Sequence, residues 1–273
     1  MRQKAIGFLL LCAALVAACL YLSQRSMRQT QQDPPSANGW TQVELSQLPR
    51  YRRDDADFSA DSQGGIFYPD AQQGIDVSEH QGKIDWQKVR EDGISFAILR
   101  VAYRGYTEGR LAEDATFREN LAAARDAGIE LGAYVFSQAL NEQEAEEEAA
   151  FALSILDGAP LELPIYFDWE HVSGDERADR LTGEQVTRNA LAFCRAVEDA
   201  GYRGGVYFNS SVGYWKLTLP VLAGYDFWLA QYEPAPYFFY DFHMWQYSDH
   251  AEVDGIETAV DRNLRFNETT DSP

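Results

Sequence analysis

The sequence predicts an α/β fold: an irregular, TIM-like β/α barrel whose later strands lack their helices, preceded by an N-terminal apolar segment and a linker. After residue 73, short apolar runs typical of buried strands alternate with amphipathic helical patterns. Such alternation is typical of parallel strands joined by crossover helices. Eight strand-like runs suffice to close a barrel. The last connections contain little helical pattern, so we expect the second half of the barrel to be irregular.

The apolar pattern sets the predicted elements. Strands are predicted at residues 74–77, 96–102, 131–136, 163–167, 205–208, 227–231, 243–247 and 259–261. Helices are predicted at residues 85–92, 112–127, 141–156 and 183–200. The hydroxyl of Thr182 is placed to cap the last helix, and Gly128 and Gly201 lie just past two helix ends.

Composition narrows the possible functions. A chain of 273 residues, 45% of them hydrophobic, can form one large domain or two small ones. Its formal net charge of -20 argues against nucleic acid and anionic membrane surfaces as partners. Of the three cysteines, Cys12 and Cys19 precede the folded part, so Cys194 has no partner for a disulfide there. The histidines are scattered and show no zinc-binding spacing.

The N-terminus carries an export segment. Arg2 and Lys4 precede an uncharged, mostly apolar stretch at residues 5–24, typical of a signal peptide or a membrane anchor. Cys19 follows the run VAA, which leaves a lipoprotein as a further alternative. We favour an uncleaved anchor at residues 5–22, and expect membrane contact only through this segment. Each alternative places the remaining chain outside the cytoplasm.

The chain therefore divides into four regions. A polar, irregular stretch follows the export segment and predicts a linker or tether. The signal or anchor, the linker, the barrel and a short tail are predicted at residues 1–24, 25–72, 73–267 and 268–273.

Asp168 and Glu170 end the apolar, aromatic-rich run LPIYFDWE at residues 163–170. Side chains on a strand alternate between its faces, so residues two apart point the same way. We therefore expect both carboxyl groups on one face at the C-terminal end of a buried strand. Each negative charge disfavours ionisation of the other, which separates their pKa values. A carboxyl with a raised pKa beside an ionised carboxylate is the catalytic pair typical of a glycosidase.

Asp76 and Asp261 have similar settings, because each ends a short apolar run. In a parallel barrel the C-terminal ends of the strands meet at one rim. Four acids at strand ends, from separate parts of the chain, therefore predict one acidic cleft on that rim. The alternative for any single acid is a strand-end cap or a turn residue.

Aromatic residues collect near the same strand ends. Aromatic rings bind the apolar faces of sugar rings, and tyrosine or tryptophan adds a polar group. Ordinary core packing is the alternative for any single ring. The substrate-binding candidates are Tyr134, Tyr207, Trp228, Tyr232, Trp245 and the adjacent Gln246.

Several motifs resemble those of the glycoside hydrolase family 25 lysozymes. They occur in order over about residues 73–267: DVSEHQG with IDW from residue 76, FREN from 117, GAYVF from 132, DWE from 168, WLAQY from 228, WQYS from 245 and VDRN from 260. The resemblance implies a muramidase that cleaves the β-1,4 bond between N-acetylmuramic acid and N-acetylglucosamine in peptidoglycan. It also implies a β/α barrel whose later strands lack helices. Val135 and Trp169 depart from residues that are common in the family.

The resemblance also implies catalytic roles. Glu170 would be the general acid/base, with a raised pKa, and Asp168 would stay ionised and orient the 2-acetamido group as it attacks the anomeric carbon with retention. Direct nucleophilic attack by Asp168 is the alternative. Asp76 and Asp261 would tune these charges and hold the sugar ring. No metal and no cofactor is implied, the partner is the peptidoglycan glycan strand, and no oligomeric state is predicted.

Two other classes of function stay open. A non-catalytic glycan-binding protein could use the same barrel, although the intact set of four acids favours an enzyme. A peptidase or amidase needs an activated nucleophile with a base. Ser78 and His80 are close in sequence, but no third member of a triad is evident.

Overall fold

A computed structural model describes the protein at residue 46 and over residues 48–62, 64–172 and 176–267. These residues belong to one compact unit of the chain, residues 36–273. The predicted signal or anchor and the predicted tail lie outside the described residues. Within the described ranges, no helix has the length and apolar character needed to cross a membrane.

Eleven strands are present in the described residues. In chain order, β1 to β11 span Ser59–Ala60, Ile66–Phe67, Gln72–Val77, Phe96–Arg104, Leu111–Glu113, Glu130–Phe136, Ile165–Asp168, Gly204–Asn209, Asp226–Ala230, Met244–Ala251 and Val260–Arg265. Strands β1 and β2 form a small antiparallel hairpin, and β5 pairs with the end of β4. The other eight strands close a barrel, which confirms the predicted architecture.

The barrel is parallel except for its last strand. Strands β3, β4, β6, β7, β8, β9 and β10 pair in parallel, whereas β11 pairs antiparallel with both β10 and β3. Parallel strands need a crossover connection of a dozen or more residues. Residues 252–259 are too few for that crossover, so β11 returns antiparallel and closes the barrel in the opposite direction.

Six α-helices accompany the strands in the described part of the chain. Helices α1 to α6 span Trp86–Glu91, Phe117–Asp126, Glu142–Leu156, Gly183–Asp199, Ser210–Trp215 and Leu219–Leu222. The four predicted helices are present, and the Thr182 hydroxyl caps α4 by accepting the Gln185 N–H at 3.2 Å. Gly128 and Gly201 have positive φ at helix ends, as predicted. The short α5 and α6 were not predicted.

The beginning of the second predicted helix was wrong. Residues 111–113 form strand β5, and helix α2 begins only at Phe117. The Asp114 carboxyl explains the delay, because its Oδ1 accepts the Thr116 N–H at 3.0 Å and the Thr116 hydroxyl at 2.8 Å. A side chain that bonds the backbone two residues ahead forms a turn that competes with a helix.

An apolar plug fills the lower part of the barrel interior. It contains Phe96, Ile98, Tyr166, Trp228 and Met244, together with smaller contributors. Glycines make room for its rings: a Cβ at position 74 would lie 2.2 Å from the Phe96 ring, and one at position 205 would lie 2.4 Å from the Tyr166 ring. The interior is therefore solid below the rim, as in other barrels of eight strands, and only the rim is free for polar groups.

A segment that we call the N-terminal strap, residues 48–62 and 64–68, lies on the outside of the barrel. It begins beside the β9–β10 connection. The Tyr51 N–H donates to the Phe239 carbonyl at 3.1 Å, and the Asp241 N–H donates to the Pro49 carbonyl at 2.8 Å. Since residue 241 precedes β10, the strap starts near the N-terminal ends of the parallel strands, at the base of the barrel.

The strap covers the outer face of β10 and β11, where the barrel has no helix. The Phe58 ring packs edge-on against Trp245, with 5.6 Å between ring centroids, and also contacts Tyr68 and Phe266. Ile66 is 7% exposed and belongs to the same apolar cluster. The sequence predicted a polar linker through residue 72. Its described part is packed because a few widely spaced apolar residues each contact the barrel wall.

The strap contributes to stability through Phe58. We expect Phe58→Ala in the full chain to lower the free energy of unfolding by about 1–3 kcal/mol, somewhat less than a fully buried phenylalanine costs. The matched control is Phe67→Ala, because Phe67 lies in the same strap and is 43% exposed. Denaturant unfolding measures both. Equal losses in the two variants would show that the contact of Phe58 with Trp245 contributes nothing.

Candidate active site

The four predicted acids meet at one rim of the barrel. Asp76 and Asp168 lie at the C-terminal ends of β3 and β7, and Glu170 follows β7 by two residues. Asp261 is the second residue of β11, and since that strand runs antiparallel its beginning reaches the same rim. They line one cleft together with Arg100, Tyr106, Tyr134, Phe136, Tyr207, Trp228 and Gln246.

Asp76 and Asp261 are directly opposite each other in the β3–β11 register. Gln246 on the neighbouring strand β10 donates its Nε2 hydrogens to Asp76 Oδ2 at 2.9 Å and to Asp261 Oδ2 at 3.1 Å. The side-chain carbonyl of Gln246 accepts hydrogen bonds from the hydroxyls of Tyr207 at 3.0 Å and Tyr232 at 2.9 Å. The predicted binding residue Gln246 therefore joins two acids and two tyrosines at the rim.

Burial raises the pKa values of all four acids, and negative neighbours add to this for Asp168, Glu170 and Asp261. Burial is the largest cause for each. The charge of Asp76 is the second cause for Glu170, and it also contributes to raising the pKa of Asp261 to about 9. The raised pKa of Glu170 has the direction that a general acid requires.

The burial of Asp168 bears on the expectation that its carboxyl stays ionised. Asp168 is 4% exposed, and its Oδ1 has no hydrogen-bond partner among the described residues. Burial, with the charges of Glu170 and Asp76, raises the pKa of Asp168 well above its usual range, and Arg100 opposes this only in part. The strand end is deeper than the sequence pattern suggested. The surroundings of Asp168 therefore favour its protonated form over its charged form.

Arg100 is the cation among the described residues that line the cleft. Its Nε donates to the buried Asp114 carboxylate at 2.8 Å, and its Nη2 lies 3.2 Å from Glu79 Oε1. Sequence reasoning did not single out this residue. A charged side chain in the apolar strand FAILRVAYR was the available signal, because charges are rarely buried unless they are paired.

Three predicted aromatic residues line the cleft. Tyr134 and Tyr207 point inward from β6 and β8, and both rings contact the Trp228 indole edge-on, with centroid separations of 6.2 and 4.7 Å. Tyr232 is 48% exposed and reaches the site through its hydroxyl. Tyr106 was missed: it lies in a loop, is 46% exposed and packs edge-on against Phe136.

The predicted binding role of Trp245 differs from the structure. Trp245 is fully buried on the outer wall, where its Nε1–H donates to the Gln231 carbonyl at 2.7 Å. Neighbours on a strand point to opposite faces, so Gln246 inside the barrel requires Trp245 outside. Val135 and Trp169, the two departures from the family pattern, also pack in this outer cluster. Neither side chain lines the cleft.

The structure gives Ser78 a capping role. Its hydroxyl accepts the His80 backbone N–H, and its own N–H donates to the Gln81 side chain. This capping box at Glu79–Gln81 leaves the His80 ring exposed and unconnected to the hydroxyl. Over the described ranges, no group of three or more potential metal ligands is placed to hold a metal ion.

Residues 75–256 match the family described as Glycosyl hydrolases family 25. This chain belongs to glycosyl hydrolases family 25. The result confirms the family resemblance and the predicted enzyme class, a glycoside hydrolase of the lysozyme kind. The family match includes Asp76, Asp168 and Glu170, and ends before Asp261.

Relatives of this glycoside hydrolase include named lysozymes. Lysozyme M1 of Streptomyces globisporus is 31% identical over 208 residues, covering 71% of this chain and 67% of the relative. The solved bacterial lysozyme from Streptomyces coelicolor has a TM-score of 0.58 and 28% identity, over 73% of this chain and 93% of that one.

The fold is also similar to that of a solved autolysin. The modular autolysin LytC from Streptococcus pneumoniae, in complex with a synthetic peptidoglycan ligand, has a TM-score of 0.64 and 27% identity. The match covers 80% of this chain and 52% of that chain. This glycoside hydrolase therefore spans about half of the autolysin's length.

The acidic rim should make the enzyme less stable as pH rises. The pKa of Asp261 is about 9 in the folded protein, against 3.8 for a free side chain, so between these pH values the folded state binds a proton that the unfolded chain does not. The free energy of unfolding therefore falls as pH rises through this window. We expect Asp261→Asn to flatten the fall in Tm.

Thermal unfolding at a series of pH values measures this effect. Asp126→Asn is the matched control, because Asp126 is an exposed aspartate at the end of helix α2. A Tm profile that Asp261→Asn leaves unchanged, or that Asp126→Asn flattens equally, would contradict the assignment.

Proposed function

We propose that this protein is a lysozyme that hydrolyses the β-1,4 bond between N-acetylmuramic acid and N-acetylglucosamine in peptidoglycan. The observation that carries the proposal is the meeting of Asp76, Asp168, Glu170 and Asp261 at one rim, in a chain of family 25. The name of the Streptomyces relative and the peptidoglycan ligand of the solved autolysin support the substrate class.

Glu170 acts as the general acid and base in this proposal. It is the partly exposed member of the pair with Asp168, so it can approach the glycosidic oxygen of a bound glycan. Burial and the negative charge of Asp76 raise its pKa and keep it protonated before the reaction. Glu170 then gives its proton to the leaving oxygen as the glycosidic bond breaks.

Asp168 positions the reacting acetamido group. Asp168 lines the cleft and its buried Oδ1 has no partner among the described side chains, so its carboxyl has capacity to accept a hydrogen bond from a substrate N–H. A donor to the carboxylate favours its ionised form, which offsets the cost of burying the charge. In the complex, the acetamido N–H therefore stabilises the carboxylate form of Asp168.

The reaction has two steps, and protons are balanced in each. In the first, the acetamido carbonyl oxygen forms a bond to the anomeric carbon while the glycosidic bond breaks and Glu170 protonates the departing oxygen. In the second, water attacks the anomeric carbon, the bond to the acetamido oxygen breaks, and Glu170 takes the proton from water. Two displacements at one carbon give retention of configuration.

The cleft walls fit a glycan strand. Tyr134, Tyr207 and Trp228 line the cleft beside the acids, and Tyr106 adds an exposed ring to the lining. Such surfaces bind the apolar faces of sugars and donate hydrogen bonds to their hydroxyl groups. The barrel itself thereby supplies both the acids and the sugar-binding surface.

This function places the enzyme outside the cytoplasm, where peptidoglycan is found. The apolar run at residues 5–22 supplies the means of export, as an uncleaved anchor, a cleaved signal or a lipoprotein leader. The net charge of -20 gives no long-range attraction to an anionic wall polymer, so binding depends on contacts within the cleft.

Glu170→Gln tests the proposed function. We expect the variant to fold and to lose about 10²–10⁴-fold in turnover, since it cannot transfer a proton. The measurement is digestion of purified peptidoglycan by the full chain, with mass analysis of the fragments. Glu198→Gln, an exposed glutamate on helix α4, is the control and should retain full activity.

The products decide between the alternatives. Reducing-end N-acetylmuramic acid that is absent with Glu170→Gln supports the muramidase. Reducing-end N-acetylglucosamine would show that the enzyme cleaves the other glycosidic bond of the glycan. Glycan binding without cleavage would favour the non-catalytic glycan-binding protein. Substantial residual activity in Glu170→Gln would show that Glu170 is not the general acid.

Substrate assistance predicts a dependence on the acetamido group itself. Peptidoglycan whose muramic acid residues have been de-N-acetylated should not be cleaved, because a free amine offers no carbonyl oxygen for the first step. Fully acetylated peptidoglycan is the control substrate, and reducing-end analysis measures cleavage. Efficient cleavage of the de-N-acetylated polymer, with a glycosyl group trapped on Asp168, would instead make Asp168 the direct nucleophile.

A further inference from the structure

The orientation of the Asn263 side chain is determined by its neighbours. Asn263 is fully buried on β11, beneath the rim, and its Oδ1 accepts the Trp228 Nε1–H at 2.8 Å. An indole N–H can donate but cannot accept. The amide nitrogen must therefore face the other way, where it donates to Asp76 Oδ2 at 2.8 Å.

The orientation of Gln246 follows from similar reasoning. Turning its amide around would place the carbonyl oxygen against two carboxyl oxygens. In the observed orientation Nε2 donates to Asp76 and Asp261, while the carbonyl accepts two tyrosine hydroxyls. Asp76 Oδ2 thus accepts two N–H bonds, from Asn263 and Gln246, and Asp261 Oδ2 accepts one longer bond.

This inequality matters because the two carboxyl groups also hydrogen-bond each other. Such a bond needs a proton on one of them. Hydrogen bonds donated to a carboxylate favour its ionised form. Asp76 is therefore the member of the pair that ionises more easily. Asp261 is the member that keeps the proton and donates it in their shared hydrogen bond.

We propose that Asn263 is a positioning residue that keeps the shared proton on Asp261, so that Asp76 carries the negative charge facing Glu170. The catalytic part of this proposal rests on the proposed lysozyme function. Glu170 depends on that charge, because Asp76 is the neighbouring group that helps to hold the Glu170 proton in place. Asn263 thus acts on the general acid through Asp76, without touching the substrate.

The other groups around the pair agree with a single negative charge. The charge of Asp249 disfavours a second charge on it, and Arg100 is the cation among the described residues that line the cleft. Tyr134 and Tyr232 face the pair as neutral phenols, because burial and these acids raise their pKa values. Sharing one proton between Asp76 and Asp261 is the arrangement that limits repulsion at the rim.

The chain contains a matched control for Asn263. Asn120 on helix α2 is also buried, at 5% exposed, and its Oδ1 accepts the Trp86 Nε1–H at 3.1 Å. It does not line the cleft. Replacing either asparagine by leucine removes an indole partner and a buried amide, but only Asn263→Leu removes a donor from Asp76.

Two measurements on the full chain test the proposal. The first is ¹³C NMR titration of aspartate carboxyl carbons, with the Asp76 and Asp261 signals assigned by their loss in Asp76→Asn and Asp261→Asn. In the unchanged protein near neutral pH, we expect Asp261 protonated and Asp76 ionised. In Asn263→Leu, the Asp76 signal should move toward the protonated position, while Asn120→Leu leaves both signals in place.

The second measurement is the pH dependence of kcat/KM on peptidoglycan. Asn263→Leu should shift the alkaline limb to lower pH, because Glu170 loses its proton more easily without the full charge on Asp76. Asn120→Leu should leave both limbs unchanged even if it lowers Tm equally. A merely structural role for Asn263 would lower activity at every pH without moving a limb.

Several results would overturn the proposal. They are a protonated Asp76 in the unchanged protein, an unaltered Asp76 signal in Asn263→Leu, or an equal shift of the limb in Asn120→Leu. If Asn263→Leu fails to fold, the titration of the unchanged protein still decides where the proton resides. Because the titration needs no turnover, it also separates failure of this proposal from failure of the proposed lysozyme function.

Discussion

The antiparallel closure of the barrel is the constraint on which the site depends. Strand β11 fits between β10 and β3 because its connection is too short for a crossover, and this reversal brings the beginning of β11 to the rim where the other strands end. Asp261 thereby lies opposite Asp76, and Asn263 lies one inward-facing position deeper. A parallel β11 would place the same residues near the base.

Placing four buried acids at the rim costs stability, and the surrounding residues offset that cost only in part. Amide groups of Gln246 and Asn263 satisfy Asp76, and Asp114 holds Arg100 nearby, but Asp168 keeps an unpartnered oxygen within the described structure. A buried polar atom without a partner costs stability. Under the proposed function, Asp168 is the residue whose carboxyl accepts the substrate N–H.

Much of the architecture could be predicted from the sequence, because apolar periodicity reports which segments are buried. The eight strands, four helices and four rim acids follow from it. The pattern does not give depth or direction: it missed the burial of Asp168, the reversal of β11 and the outward side of Trp245. The paired cation Arg100 and the packed strap depend on contacts between distant segments, which local patterns do not contain.

The strap decides where the polypeptide meets the catalytic body. It joins the barrel beside residues 239–241, at the base, whereas the cleft opens at the opposite end of the strands. No described residue of the strap lines the cleft, so an extended polymer could enter the cleft without displacing the strap.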